Sequence, residues 1–193
     1  LKKSDEEMRK IRWKRISMIF QGAMNALNPV FKVGEQIKEA ILLHENISER
    51  EAENRVKRLF KDVGLTQDRI DDYPHELSGG MRQRVMIAMA LACNPDVVIA
   101  DEPTTALDAT IQAQILALMK ELRKKLNNST ILITHDLSII AETCDRVSIM
   151  YAGKIVEIGN VVSIFTNPIH PYTKGLIEAM PSIEKGKSKT LFA

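Results

Sequence analysis

Cysteine is scarce: Cys93 and Cys144 are the only two in 193 residues. They share no ligand spacing and sit in apolar helical runs, so two buried free thiols in a reducing compartment are expected in place of a disulfide. No apolar run is longer than Val85 to Cys93, far too short to span a bilayer, and nothing resembles a signal peptide. Any membrane role is therefore peripheral and goes through a partner. A net charge of +2 gives no basic footprint for nucleic acid. Internal repeats and low-complexity segments are missing as well. What is present is 45% hydrophobic content, enough for one core with a small helical lobe.

The chain is organised around Tyr73 to Asp108, which reads YPHELSGGMRQRVMIAMALACNPDVVIADEPTTALD. Ser78, Gly79 and Gly80 open a helical run. Unpaired N–H groups and the positive end of the dipole converge there, and glycines admit an anion close to the backbone. Val85 to Cys93 is apolar on every side, which suits a helix buried between layers, and Asn94-Pro95 stops it. Val97 to Ala100 is a short apolar run of the kind shown by a parallel strand covered on both faces. Asp101 and Glu102 follow at its carboxyl end, where open α/β sheets place their ligands. Two adjacent carboxylates at a buried strand end need a compensating cation or proton. A metal with phosphate suits them, Asp101 holding Mg²⁺ through water and Glu102 orienting and polarising an attacking water. Taken alone, an Asp-Glu pair more often marks a solvated helix start before a proline such as Pro103; its neighbours reverse that reading.

Local signals place the flanking elements. Ser4-Asp5-Glu6-Glu7 and Ser48-Glu49-Arg50-Glu51 have capping-box form. The first opens a short charged helix toward Trp13; the second opens a helix with Ala52, Val56, Leu59, Phe60 and Val63 on one face and Gly64 as its C′ residue. Val33 to His44 is a helix with Ile37, Ala40 and Ile41 on one face. These faces form the core of a helical lobe, and the charged backs, including Arg55, Lys57, Arg58 and Lys61, are read as solvated. Ile16 to Phe20 is a strand ending at Gln21, whose amide can both accept and donate, and Gly22 to Lys32 is a loop. Ala109 to Leu126 is an amphipathic helix, and Thr130 to Thr134 a second buried strand that delivers His135 to the edge holding Asp101 and Glu102. Asp136 caps a helix over Leu137 to Cys144. Arg146 to Tyr151 and Lys154 to Gly159 form a hairpin around Ala152-Gly153. Asn160 and Pro171 start two short helices, and a mobile tail is expected from Lys185.

LSGGMRQR (Leu77 to Arg84) resembles the signature motif of ABC-type ATPases, VVIADEP (Val97 to Pro103) their Walker B strand, and ALD (Ala106 to Asp108) their D-loop. Gln21 in ISMIFQ resembles the Q-loop and His135 in TILITHD the H-switch, in the family's order over nearly the whole chain. FQ..MNALNP, DEPTTALDATIQAQIL and NPIHPYTKGLIEAMP are similar to the oligopeptide/dipeptide importer branch, although Gly22-Ala23 stands where that branch usually carries Asp-Pro. No G-x-x-x-x-G-K-[ST] phosphate loop occurs in the sequence. In the family it precedes the Q-loop, so it is expected upstream of Leu1.

The resemblance implies an α/β P-loop NTPase fold of the ABC type: a mostly parallel sheet flanked by helices, with an all-helical signature subdomain, lacking the N-terminal strands and the phosphate loop. Residues 1–193 then form one partial ATPase domain. Its parts are a Q-loop strand and loop (1–32), a helical subdomain with the signature (33–93), a catalytic core (94–159), and C-terminal helices with a tail (160–193). The strands at Ile16, Val97 and Thr130 lie side by side in that order, and a vacant slot separates the last from Arg146 to Tyr151. The implied function is the ATP-binding and ATP-hydrolysing subunit of an importer for oligopeptides or dipeptides, with ATP and Mg²⁺ as cofactors. Glu102, His135 and Gln21 carry the catalytic roles and Asp101, with Gln21, the metal. Ser78, Gly79, Gly80 and Asp108 meet the ATP of a second nucleotide-binding subunit, identical or paralogous. The other implied partners are transmembrane permease subunits and, indirectly, an extracytoplasmic solute-binding protein, which puts the chain at the cytoplasmic face of the cell membrane. Two other readings are a catalytically silent interaction fragment and an ABC-type ATPase of DNA repair or chromosome maintenance. The latter calls for a coiled coil between Q-loop and signature, and no heptad run lies between Gln21 and Ser78.

Overall fold

The computed structural model describes residues 3–22 and 26–180, and the chain divides into two compact units, 1–133 and 134–193. The tail expected from Lys185 lies outside the described residues.

In the first unit, Ser4 and Glu7 make a complete capping box on α1 (Asp5–Ile11). β1 (Ile16–Ile19) and α2 (Val33–His44) follow, and a second capping box, Ser48 with Glu51, opens α3 (Glu49–Asp62). Gly64 lies in the left-handed region at φ +72°, where a glycine costs least, and lets the chain leave α3 sharply. Ile37 and Ile41 of α2 and Ala52, Val56 and Phe60 of α3 are buried together in the main core. Arg55 corrects the expectation of a solvated back: it pairs with Glu45 at 2.6 Å and donates to the Ala92 carbonyl at 3.3 Å. The long guanidinium stem reaches across to the end of α4 (Gly79–Ala90), a contact that helical periodicity does not register.

β2 (Val97–Asp101), α5 (Ala109–Leu126) and β3 (Ser129–Ile133) complete this unit. The sheet is parallel in the order β1-β2-β3, with Ile19 beside Ala100 and Ala100 beside Leu132. Side chains alternate across it. Ser17, Ile19, Val98 and Ala100 are buried on one face, where Ile87 of α4, Leu91 just past its end, and Met119 and Leu122 of α5 close over Ile19 and Val98. The opposite face holds Ile16, Val97, Ile99, Ile131 and Ile133. Here the expectation of strands covered on both sides fails: Ile131 is 54% and Ile133 47% exposed, and Val97 and Ile99 are half-buried. The physical reason is that α4 and α5 pack on a single face of the sheet. β4 (Arg146–Tyr151) belongs to the second unit.

The second unit opens with α6 (Leu137–Thr143), capped by Asp136, whose carboxylate accepts the Ser138 N–H at 2.8 Å. β4 pairs antiparallel with β5 (Lys154–Asn160) through a turn in which Ala152 and Gly153 have φ of +49° and +76°. Ile140, Val147, Ile149 and Ile164 form its core together with α7 (Val161–Thr166). α8 (Pro171–Glu178) starts at Pro171 as expected.

Glu157 of β5 accepts the N–H groups of Ile169 (2.8 Å) and His170 (3.1 Å), which lead into α8. The neighbouring Thr173 hydroxyl and these two donors hold its carboxyl below the ordinary value of 4.5. The hydroxyl lies outside strict hydrogen-bond geometry, so the two N–H groups are the firmer part of that hold. A lowered carboxyl contributes stability above its unfolded value and loses it as pH falls through the folded one. Glu157→Gln is therefore expected to melt below the parent at neutral pH, with the gap closing under acid conditions. Identical melting curves at neutral pH would show that the contact contributes nothing.

Candidate functional site

β1 and β2 end on one edge of the sheet, and the residues just past their ends meet. Gln21 Nε2 donates to Glu102 Oε2 at 2.8 Å, joining two positions 81 apart in the chain. Asp101, the last residue of β2, stands in register with Ile133. Asp101 and Glu102 are both half-buried, which corrects the expectation of a buried acidic pair: the edge opens to solvent, so part of their hydration is kept.

The backbone after β2 is tightly folded. Glu102 has φ +43° and donates its N–H to the Ile133 carbonyl at 2.9 Å. Thr105 N–H returns to the Glu102 carbonyl and Leu107 N–H to that of Thr104, each at 3.2 Å, with Ala106 at φ +66°. Non-glycine residues in the left-handed region cost about 1–3 kcal/mol each and persist only where their surroundings impose them. The Thr105 hydroxyl also donates to Glu102 Oε2, at 2.9 Å. Neither Thr105 nor these turns was foreseen, and no Gly or Asn at 102 or 106 signalled them.

Asp108 caps α5, its Oδ1 accepting the Ile111 N–H at 3.0 Å. Ser78 caps α4 by accepting the Met81 N–H at 3.4 Å, which leaves the N–H groups of Gly79 and Gly80 without acceptors inside the helix. A Cβ on Gly80 would come within 2.8 Å of Ile111 Cγ2, so packing against α5 already requires glycine there, apart from any ligand. Arg84 donates to the Val63 carbonyl at 2.6 Å and thereby ties α4 to the end of α3. His135 is exposed and belongs to the second unit.

Among the described residues no group of three or more His, Cys, Asp or Glu side chains could hold a metal ion. Asp101 presents a single half-buried carboxylate at the end of β2. That fits Mg²⁺, which keeps several waters and is held by one or two carboxylates plus substrate phosphates. Cys93 and Cys144 are free; Cys93 is buried, with its thiol pushed up to about 11 by burial, and Cys144 is only half-buried because it lies just past the end of α6. No described helix is long and apolar enough to cross a membrane.

A family model described as "ABC transporter" matches residues 2–105. The chain belongs to the ABC transporter family. A second model, "Oligopeptide/dipeptide transporter, C-terminal region", matches residues 156–191. Among curated members of the family, the oligopeptide transport ATP-binding protein OppD of Bacillus subtilis is 55% identical over 192 residues, covering 98% of this chain and 54% of that protein. The dipeptide transport ATP-binding protein DppD of the same organism is also 55% identical, over 183 residues, covering 94% of this chain and 55% of that protein. The chain thus spans about half the length of these relatives. Of solved structures, cbiO1 from Clostridium perfringens, part of the transporter complex cbiONQ, superimposes with a TM-score of 0.75 at 31% identity over 85% of this chain and 64% of its own. A dimeric post-hydrolysis state of the ATP-binding cassette MJ0796 bound to ADP and Pi gives a TM-score of 0.71 at 30% identity over 83% of this chain and 68% of its own. The fold is that of an ABC ATPase cassette, of the α/β class.

Proposed function

We propose that this chain is the signature-bearing part of an ATP-binding subunit that drives import of oligopeptides or dipeptides. The observation that supports the reading is the Gln21–Glu102 hydrogen bond, which joins an amide and a carboxylate at the sheet edge where β2 ends in Asp101. Glu102 orients and polarises the attacking water, Asp101 holds Mg²⁺ through water, and Gln21 reports whether nucleotide is present. His135 donates to the γ-phosphate. Ser78 with the free N–H groups of Gly79 and Gly80 binds the γ-phosphate of ATP held mainly by a second nucleotide-binding subunit, and Asp108 couples the two sites across the seam. Two such nucleotide-binding subunits would close on ATP and open after hydrolysis, and the movement would pass to a transmembrane permease resting near Gln21 to Phe31 and the helical lobe at the cytoplasmic membrane face. A solute-binding protein outside the membrane delivers the peptide. The C-terminal match to the oligopeptide/dipeptide branch supports this cargo class.

The test is ATP turnover by the full-length subunit, reconstituted with permease and binding protein. Turnover is expected to require Mg²⁺ and to rise with added peptide; turnover indifferent to peptide would overturn the cargo reading. The 193-residue polypeptide by itself is expected to show no turnover above background, because its sequence holds no lysine-bearing cradle for the β- and γ-phosphates. Robust Mg²⁺-dependent turnover by that polypeptide would contradict this.

A further inference from the structure

We infer that Thr105 is a positioning residue for hydrolysis, the permanent anchor of the Glu102 carboxylate; the inference rests on the reading of Glu102 given above. Two donors meet at Glu102 Oε2, the Gln21 amide at 2.8 Å and the Thr105 hydroxyl at 2.9 Å. They differ in how they are attached. Gln21 stands just past the end of another strand, 81 positions away. In the proposed function its amide responds to bound nucleotide, and an amide drawn through Oε1 to a cation or through Nε2 to a water can leave Glu102 Oε2. Thr105 lies three positions from Glu102 in the same turn, closed by its own N–H on the Glu102 carbonyl at 3.2 Å. Its hydroxyl is therefore carried by the same turn as the carboxylate it holds, and not by a separate strand.

The backbone gives such an anchor a task. Glu102 sits at φ +43°, a region a glutamate rarely adopts, so its side chain leaves the sheet edge in a direction that neither the strand register nor a helix rotamer fixes. A general base must be held to within a fraction of an ångström, and a displacement of about 1 Å can cost on the order of a hundredfold in rate. Of the donors described, Thr105 supplies that hold from within the same turn.

The experiment compares Thr105→Val, Thr105→Ser and Glu102→Gln in the full-length subunit within its assembled transporter. Thr105→Val keeps the shape and removes the hydroxyl; kcat is expected to fall about 10- to 100-fold with KM for ATP and melting temperature unchanged. Thr105→Ser restores the hydroxyl and is expected to recover most of the rate. A structural role would move the melting temperature and spare this pattern. Parental turnover in Thr105→Val, with Glu102→Gln inactive, would overturn the inference and leave the reading of Glu102 standing. An equal loss in Thr105→Val and Thr105→Ser would also overturn it, since the hydroxyl would then not matter. Turnover surviving in Glu102→Gln would remove the reading of Glu102 and the inference with it.

Discussion

Replacing Glu102 by glutamine is expected to lower ATP turnover in the full-length subunit by about 10²- to 10⁴-fold, the usual contribution of a positioned general base. Nucleotide binding is expected to stay within a factor of about 3 of the parent, because an interaction confined to the transition state leaves ground-state affinity alone. The substitution is well matched to the site. Glutamine has the same shape and keeps one carbonyl oxygen, so the donors from Gln21 and Thr105 that now meet at Oε2 retain an acceptor. What is lost is the negative charge and the ability to take a proton from water. The left-handed backbone at residue 102 is kept by the Glu102 N–H bond to Ile133, which the substitution does not touch. Steady-state turnover and equilibrium binding of a fluorescent ATP analogue separate the two effects. A variant that hydrolyses within about tenfold of the parent would remove Glu102 from the general-base role, given the size such roles usually have. A variant that binds no nucleotide would mean that the carboxylate organises the site and does not serve its chemistry.

Local signals in this sequence carry their structure with them, and long-range contacts do not. Ser4 and Ser48 cap their helices with Glu7 and Glu51 because a capping box spans four consecutive residues and needs nothing from the rest of the fold. The bounds of Val33–His44 follow from periodicity and those of Ala109–Leu126 from periodicity with the Asp108 cap. The Gln21–Glu102 meeting was legible through the motif resemblance, since position along a parallel sheet edge is a property of topology and not of either residue. Ile131 and Ile133 were misread as buried because an apolar strand looks the same whether or not a layer covers it, and cover is a property of other segments. Arg55 escaped for a related reason: its partners, Glu45 and the Ala92 carbonyl, come from other elements. The left-handed Glu102 and Ala106 carried no sequence mark at all, their conformation being imposed by the sheet end and the cap of α5. Gly80 was read as making room for an anion, and the Ile111 side chain turns out to fill part of the space beside it.

Phe60→Ala is expected to be the most damaging core substitution in the helical lobe. Phe60 is 0% exposed and shares a buried cluster with Ile37, Ile41, Val56 and Val63. Removing its ring forfeits the transfer free energy of an aromatic side chain and leaves a cavity between α2 and α3, two well-formed helices with little freedom to collapse. Phe-to-Ala changes in such places cost about 3–5 kcal/mol. Domains of this size are stable by only about 5–15 kcal/mol, so a large share of the total is at stake. The damage reaches the signature stretch, because the Val63 carbonyl that anchors Arg84 lies one turn beyond Phe60. Leu43, on the outer face of α2 and 76% exposed, is the matched control. Its replacement by alanine should stay within about 0.5 kcal/mol of the parent, as surface changes usually do. Urea unfolding followed by circular dichroism reads both. With a slope of about 1–3 kcal/mol per molar urea, the Phe60→Ala midpoint should drop by at least about 1 M and the Leu43→Ala midpoint by no more than about 0.5 M. Equal midpoints for the two variants would show that Phe60 does not hold α2 and α3 together, and the link from the lobe core through Val63 to Arg84 and the signature helix would fall with it.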